Sequence, residues 1–305
     1  MIKIFGKILF FFIFFNSTYA LENKILFKID NEIITSFDLY YEIEYLKLLN
    51  KNLSNLQSDK VFEIGKNSII RDKIKEIELQ KYYEKFEIDQ NYFDLLISNL
   101  LKKLKLQTIN DLERITNEKN INMTFIKEKI TKEVLWNQLI LTKYSKDIKI
   151  NKKNIKDEIL KKNYQKEYLL SEIVFNLKKN ETLKNKFNLI KSEINLNGFS
   201  NAALIFSNSD TSQNGGNLGW IKLSSLNKKI KNKIKNQQIG DFSDPILIPG
   251  GFLIIKIEDQ RNTKIINDID KEVEIIANEI ANKQLNQSAN IFFNKIKQEV
   301  KIYEF

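Results

Sequence analysis

Apolar residues recur every three to four positions along most of this chain, a period typical of amphipathic helices. The clearest stripe follows Asp89 and comprises Phe93, Leu96, Ile97, Leu100 and Leu104. Asp89 and Asn122 are suited to cap helices, and Thr35–Asp38 and Thr108–Asp111 have the spacing of a capping box. These helices share apolar stripes and lack proline, so the pattern predicts that they bundle into one unit.

The same pattern predicts where several helices begin and end. A polar stretch over 50–60 predicts a loop, and the next helix is predicted from Ile70 to about Phe86. Near the end of the chain, apolar stripes at 269–280 and 292–300 predict two further helical stretches.

Two segments at opposite ends of the chain alternate apolar and polar residues, as strands do. Leu26–Ile34 alternates around Asp30-Asn31 and predicts a hairpin, and Lys301–Phe305 predicts one strand. A lone terminal strand would leave its backbone groups unpaired, so we expect the tail to pair with the hairpin. A frayed tail is the alternative.

Glycine and proline are confined to one part of the chain. Both prolines and seven of the nine glycines lie within 198–251, which predicts a turn-rich module. From Tyr168 onwards the pattern predicts the order β-α-α-β-α-β-β, a small α+β domain. The predicted domains are, in order, a signal peptide 1–20, an N-terminal helical domain 21–165, the α+β domain 166–262, and a C-terminal helix and strand 263–305 that pack on the N-terminal domain.

Composition excludes several kinds of chemistry. The 305 residues include no cysteine and no histidine, which excludes disulfides, thiolate nucleophiles, histidine-based triads and histidine metal sites. We therefore expect no metal and no cofactor. The formal net charge is +10, but lysines are spread over every segment and arginine is scarce, so no concentrated basic face for nucleic acid is predicted.

The first twenty residues have the pattern of an export signal. Lys3 and Lys7 precede the apolar run Ile8–Phe15, and Ala20 offers a small residue for cleavage. We expect cleavage after Ala20 and a periplasmic location. An eight-residue apolar run is too short to predict a stable membrane anchor, although an uncleaved run holding a foldase at the membrane is an alternative.

Two strings in the turn-rich module resemble the parvulin family of peptidyl-prolyl isomerases. They run from Phe206 to Trp220, with Asn-Gly-Gly-Asn-Leu-Gly-Trp at its end, and from Ile239 to Asp259. The resemblance covers about Lys166–Arg261. With the export signal and the flanking helices, the whole chain resembles the SurA-type periplasmic chaperones. That resemblance implies an α+β fold in which N- and C-terminal segments form a helical chaperone core with one inserted parvulin-like domain.

The resemblance places the polar network of the isomerase on three positions of this chain. The first network histidine of the family falls on Glu172 and the second on Leu253, and the Cys or Asp position falls on Ser209, with Asp210 one step later. Leu253 cannot form a side-chain hydrogen bond, and a serine is a weaker anchor than a carboxylate. The altered network therefore predicts weak or lost isomerase activity.

The apolar pocket that holds proline in the family is better kept. Leu218 matches the family leucine, and Leu226 and Ile230 occupy the usual methionine and phenylalanine positions. These three side chains form either a proline pocket or an ordinary core or generic peptide groove.

The function implied by the resemblance is that of an ATP-independent periplasmic chaperone for unfolded or extended polypeptides, outer-membrane proteins in particular. The alternative is an active peptidyl-prolyl isomerase that assists the folding of exported proteins. We expect neither nucleic acid nor a stable membrane anchor among the partners.

Overall fold

The computed structural model describes residues 23–160, 164–264 and 268–305. The predicted signal peptide and its cleavage point lie outside these residues. The helices of the described residues are α1 Ser36–Leu49, α2 Ser58–Leu79, α3 Gln90–Leu104, α4 Ile109–Glu118, α5 Met123–Tyr144, α6 Lys152–Leu160, α7 Leu183–Asn197, α8 Phe199–Phe206, α9 Lys228–Ile234 and α10 Ile269–Glu299. The strands are β1 Ile25–Ile29, β2 Glu32–Thr35, β3 Tyr164–Phe175, β4 Asn217–Lys222, β5 Ile246–Ile248, β6 Gly251–Lys264 and β7 Ile302–Glu304.

The first and last segments of the described chain form one helical domain. Trp136 of α5 is fully buried and stacks on Phe292 of α10, with ring centroids 5.7 Å apart. Ile74 and Leu79 of α2 belong to the same core, so α10 packs on both α2 and α5. No helix in 23–160, 164–264 or 268–305 combines the length and apolar character needed to span a bilayer.

A small sheet joins the two ends of the chain. Its strand order is β2-β1-β7, with both pairs antiparallel, and Ile29 of β1 lies opposite Ile302 of β7. The pairing of tail and hairpin expected from the sequence is therefore present. Together with the helices, it confirms the predicted fold class, a helical core built from both ends around an inserted α+β domain.

The helix caps follow the sequence, but one helix boundary does not. Thr35 and Thr108 each form a capping box, and Asp89 and Asn122 each accept a backbone hydrogen bond as expected. Residues 50–57 lie between α1 and α2, with a 3-10 turn at Lys51–Asn55, so the predicted loop over 50–60 is too long at its end. The predicted helix from Ile70 to Phe86 has the wrong bounds, because α2 begins at Ser58 and ends at Leu79.

The physical reason is that the buried stripe of α2 turns polar halfway along. Val61 and Ile64 begin the stripe, and Ser68, Arg71 and Lys75 continue it at helical spacing and are also buried. A second difference lies in α10, which is one continuous helix rather than two stretches.

The inserted domain is built on a four-stranded antiparallel sheet in the order β4-β3-β6-β5. Alternate residues of β3 point to opposite faces of this sheet. Ile173 and Phe175 pack under α7 and α8 on one face, whereas Val174 packs with α9 on the other. The order of elements, β-α-α-β-α-β-β, is the one predicted from the sequence.

Candidate functional site

Strand β3 places Glu172 on the α9 face of the sheet, two residues before Val174, which lies on the same face. The Glu172 Oε1 atom accepts hydrogen bonds from Ser209 Oγ at 2.6 Å and from Thr211 Oγ1 at 3.0 Å. Ser209 precedes a short 3-10 turn, Asp210–Asn214, and its hydroxyl also accepts from the Thr211 amide. The structure therefore places two of the three predicted network positions in contact and adds Thr211, which the sequence argument missed.

The surroundings of Glu172 favour the protonated carboxyl group. Burial raises the pKa of Glu172 above its ordinary value, while the hydrogen bonds from Ser209 and Thr211 and the charge of Lys283 on α10 oppose that rise. The hydrogen bonds from the Ser209 and Thr211 hydroxyl groups therefore hold the Glu172 side chain in place; this contact is called the Glu172 anchor below.

The glycine-rich loop is fitted to this anchor through its backbone. The Glu172 amide donates to the Gly216 carbonyl oxygen at 2.8 Å, and Gly216 has a φ of +80°. A Cβ atom on Gly216 would lie 2.2 Å from the Glu172 carbonyl oxygen. Only glycine suits this position, for reasons of both conformation and space.

Leu253, at the third predicted network position, is a core residue. Its side chain is 3% exposed and lies in a cluster with Val174, Leu226 and Ile230. Leu218 packs against the margin of the same cluster. The pocket positions named by the resemblance thus come together with Leu253, and they do so as packed apolar side chains.

Asp210, the neighbour of Ser209, faces the helical domain instead. Its Oδ1 atom lies 2.7 Å from Lys75 Nζ and 3.6 Å from Arg71 Nη1, both on α2. Arg71 Nη2 also donates to the Ser207 carbonyl oxygen at 3.0 Å. Burial favours a higher pKa for Asp210, but Lys75 and Arg71 outweigh it and hold that pKa below its ordinary value. These contacts fix the glycine loop to α2.

Helix α10 flanks the other side of the inserted domain. Lys222 Nζ of β4 lies 2.5 Å from Glu272 Oε1 of α10, and both side chains are largely buried. Further along α10, Asn294 Nδ2 donates to the Gly250 carbonyl oxygen at 3.3 Å, and Ile291 packs against Gly250. The inserted domain is therefore bordered by a helix of the helical domain.

Comparison with known proteins assigns the inserted domain to a family. The family model for the PPIC-type PPIase domain of the rotamases matches residues 169–259. Chaperone SurA of Pseudomonas aeruginosa is 34% identical over 71 residues, which are 23% of this chain and 17% of that protein. Foldase protein PrsA of a Geobacillus species is 33% identical over 61 residues, 20% of this chain and 22% of that protein. The chain thus matches less than a quarter of the length of these curated relatives.

Several solved structures are similar over a longer span, and one of them serves as an example. It is a SurA-like chaperone of Campylobacter jejuni, and the match covers 93% of this chain and 99% of that chain, at 14% identity and a TM-score of 0.35.

The α+β insertion with its glycine loop is a parvulin domain of the PPIC type. Over part of its length, the chain that carries it is similar to Chaperone SurA and to foldase protein PrsA.

Proposed function

We propose that this protein is an ATP-independent periplasmic chaperone that binds unfolded outer-membrane proteins, and that its parvulin domain has weak or lost isomerase activity. The observation that carries the second part is the burial of Leu253 in the apolar core, while Glu172 is held by hydroxyl groups. The name of the similar Pseudomonas protein, Chaperone SurA, supports a chaperone role.

The isomerase reaction needs more than these residues supply. Rotation about a prolyl peptide bond faces a barrier of about 18–20 kcal/mol that comes from amide resonance. Lowering that barrier requires a desolvated pocket and a polar group positioned to favour the twisted amide. Here the Glu172 carboxyl group already accepts hydrogen bonds from Ser209 and Thr211. The Leu253 side chain has no polar atom that could contact the amide.

Binding unfolded chains needs no such network. Unfolded barrel proteins expose alternating apolar strands and unpaired strand edges, and both promote aggregation in water. A protein that binds the unfolded state lowers the free concentration of that state by mass action and requires no nucleotide.

The direct test is an aggregation assay with the chain that follows Ala20. An outer-membrane barrel protein and a water-soluble exported protein, each unfolded in urea, are diluted into buffer with and without this protein. We expect light scattering to fall for both clients and to fall at a lower chaperone ratio for the barrel protein. Equal ratios would remove the outer-membrane preference, and unchanged scattering for both would remove the chaperone function.

An active prolyl isomerase is the second candidate, favoured by the apolar side chains at the pocket positions Leu218, Leu226 and Ile230. It is tested by proline-limited refolding of a reporter protein, with the wild type and with Leu226→Ala. Because Leu226 is buried, circular dichroism and the urea midpoint of the variant are measured beside its activity. Acceleration by the wild type that a folded Leu226→Ala variant lacks would establish the isomerase.

A further inference from the structure

The small sheet β2-β1-β7 has one face that packs on the helical core and one that the described residues leave uncovered. Phe27 and Ile29 of β1 are 1% and 0% exposed and belong to the core. Successive residues of a strand point to opposite faces, so Lys28 lies on the other side of the sheet. There it stands directly opposite Ile33 of β2 and Tyr303 of β7. These three side chains form one row across the uncovered face.

The ends of the tail strand add two side chains to this face. The Asp30 amide donates to the Lys301 carbonyl oxygen at 2.9 Å, and the Phe305 amide donates to the Leu26 carbonyl oxygen at 3.0 Å, so pairing with β1 continues on both sides of β7. Lys301 and Phe305 are each two positions from Tyr303 and point the same way as its side chain. The outer sheet face, as we name it, consists of Lys28, Ile33, Lys301, Tyr303 and Phe305.

Three side chains of the outer sheet face are large, apolar and open to solvent. Ile33 is 50% exposed, Tyr303 is 52% exposed and Phe305 is 75% exposed. Single exposed apolar residues are ordinary on a protein surface, but neighbouring ones indicate a contact surface. The outer sheet face therefore has the character of an interaction site.

The charges of the small sheet are sorted between its two faces. The carboxylates of β2 and β7 pair with lysines of α2, as in the contact of 2.7 Å between Glu304 Oε1 and Lys66 Nζ. Lys28 and Lys301 form no ion pair within the described residues. Asp30, at the hairpin turn, accepts a hydrogen bond from the Lys301 amide at 2.9 Å. The outer sheet face and its turn thus carry two lysines and one carboxylate, a positive excess that is complementary to an anionic surface.

The small size of the outer sheet face favours a lipid surface over a protein partner. Five extended residues span about 16 Å and three strands span about 10 Å, so the face covers roughly 160 Å². A stable protein interface needs about 800 Å² on each partner. A lipid surface has no such minimum, because each aromatic ring and each lysine can enter the headgroup region by itself.

The position of the small sheet along the chain points to the same partner. Ile25, the first residue of β1, follows Phe15 by ten positions, and Phe15 ends the apolar run of the predicted export signal. Ten extended residues reach at most about 35 Å. While that run is in a bilayer, β1 is therefore within reach of the bilayer surface.

We propose that the outer sheet face makes a reversible, peripheral contact with an anionic lipid surface. Ile33, Tyr303 and Phe305 enter the headgroup region, and Lys28 and Lys301 lie beside lipid phosphates. The contact is separate from the proposed chaperone function and adds a place where that function is exercised. Because the tail supplies three of the five residues, only a chain whose two ends have paired can make the contact.

The test is co-sedimentation of the chain that follows Ala20 with vesicles of phosphatidylcholine, either pure or mixed with phosphatidylglycerol. This chain lacks the apolar run of the signal and keeps every described residue. We expect binding to the mixed vesicles that weakens as salt is added. Ile33→Ser/Tyr303→Ser is expected to bind about tenfold more weakly, since it removes two apolar contacts. Lys28→Ala/Lys301→Ala is expected to lose about tenfold on the mixed vesicles alone.

Matched control variants lie on α7 of the parvulin domain. Leu189→Ser/Leu196→Ser removes two exposed leucines, and Lys184→Ala/Lys191→Ala removes two exposed lysines. Both controls are expected to bind as the wild type does. An unchanged urea midpoint shows that each variant folds, and suppression of client aggregation is expected to be the same in all of them.

The outcomes separate this proposal from the chaperone function. A wild type that does not sediment with the mixed vesicles overturns the lipid contact, even where aggregation is suppressed. A folded Ile33→Ser/Tyr303→Ser variant that sediments like the wild type also overturns it, as does an equal loss in the α7 controls. If the outer-face variants lose aggregation suppression and vesicles are not bound, the outer sheet face contacts polypeptide instead of lipid.

Discussion

Ser209 and Asp210 are neighbours in the sequence, yet they serve two different polar clusters. Ser209 faces inward and donates to Glu172 of β3 within the parvulin domain. Asp210 faces outward and pairs with Lys75 and Arg71 of the helical domain. The first cluster joins a carboxyl group to hydroxyls, and the second joins a carboxylate to two cations. Where the parvulin family is expected to have one catalytic network, this chain has an internal anchor and an interdomain ion-pair cluster.

The two clusters also shift the pKa of their carboxyl groups in opposite directions. Burial raises the pKa of Glu172, and the hydroxyls only partly oppose it. At Asp210 the two cations outweigh burial and lower the pKa. One cluster therefore favours the neutral acid and the other favours the ion pair, although their residues are adjacent.

The largest expected effect comes from the loop that positions both clusters. Gly216→Ala places a Cβ atom 2.2 Å from the Glu172 carbonyl oxygen at a φ of +80°. Strain and overpacking together destabilise the protein by about 2–5 kcal/mol. The matched control is Gly219→Ala, which has a φ of +74° but open space around the new methyl group, and we expect about 1–2 kcal/mol. Urea unfolding measures both, and equal losses would show that backbone conformation alone decides the effect.

The next effect separates the ion-pair cluster from an exposed surface pair elsewhere in the helical domain. Lys75→Met keeps packing against the Trp136 ring but leaves Asp210 and Glu133 without this cation. We expect a loss of about 2 kcal/mol, less than for a fully buried pair because the Asp210 side chain is 36% exposed. Lys152→Met, which removes an exposed pair between α6 and Glu274 of α10, is expected to lose at most about 1 kcal/mol. Similar losses in urea unfolding would contradict the distinction.

Salt distinguishes the two neighbours directly. Asp210→Asn and Ser209→Ala are each expected to lose about 1–2 kcal/mol of unfolding free energy, the first through charge and the second through a hydrogen bond. In about 1 M salt the screening length falls to about 3 Å, so the loss in Asp210→Asn shrinks. The loss in Ser209→Ala stays the same. A parallel salt response of the two variants would merge the two clusters into one.

The smallest expected effect concerns pH: the stabilities of Glu172 and Asp210 variants, relative to the wild type, change with pH in opposite directions. The raised pKa of Glu172 means that its stabilising contribution is complete below its ordinary value of 4.5 and declines as pH rises through the folded value. Glu172→Gln therefore gains stability relative to the wild type as pH rises from about 4 to 7.

Asp210 behaves in the opposite way, because its lowered pKa gives a contribution that is present above the ordinary value of 3.8 and is lost as pH falls through the folded value. Asp210→Asn therefore loses stability relative to the wild type as pH rises from below the folded pKa of Asp210 to its ordinary value of 3.8. Thermal or urea unfolding across pH checks both slopes, and slopes of the same sign would contradict the assignment.

Local signals in the sequence were enough for much of the fold. Thr35, Asp89, Thr108 and Asn122 fix helix starts because a cap depends only on the next three residues. Helix α6 was missed because its two buried residues, Ile155 and Ile159, pack on α10, more than a hundred positions away. A pattern so short becomes informative only once its partner is placed.

In the candidate site too, some residues could be predicted from the sequence and others depend on contacts between distant parts of the chain. Glu172 and Ser209 were named from the resemblance, and the structure joins them. The sequence did not predict roles for Lys75 and Arg71, because both are ordinary cations of a lysine-rich helix. Their role depends on the contact of α2 with Asp210 of the glycine loop. Long-range ion pairs depend on how domains dock, and no local pattern in one sequence encodes that docking.

Strand β1 has its two hydrogen-bonding neighbours, β2 and β7, at opposite ends of the described chain. Glu304 of β7 pairs with Phe27 of β1, and the Lys301 amide donates to Asp30 Oδ1 at 2.9 Å. Closing a loop that long is entropically costly, and contacts of such high sequence separation slow folding. During synthesis the first sheet of the described chain must wait for its last strand, so the parvulin domain in between is free to fold before the domain that encloses it is complete.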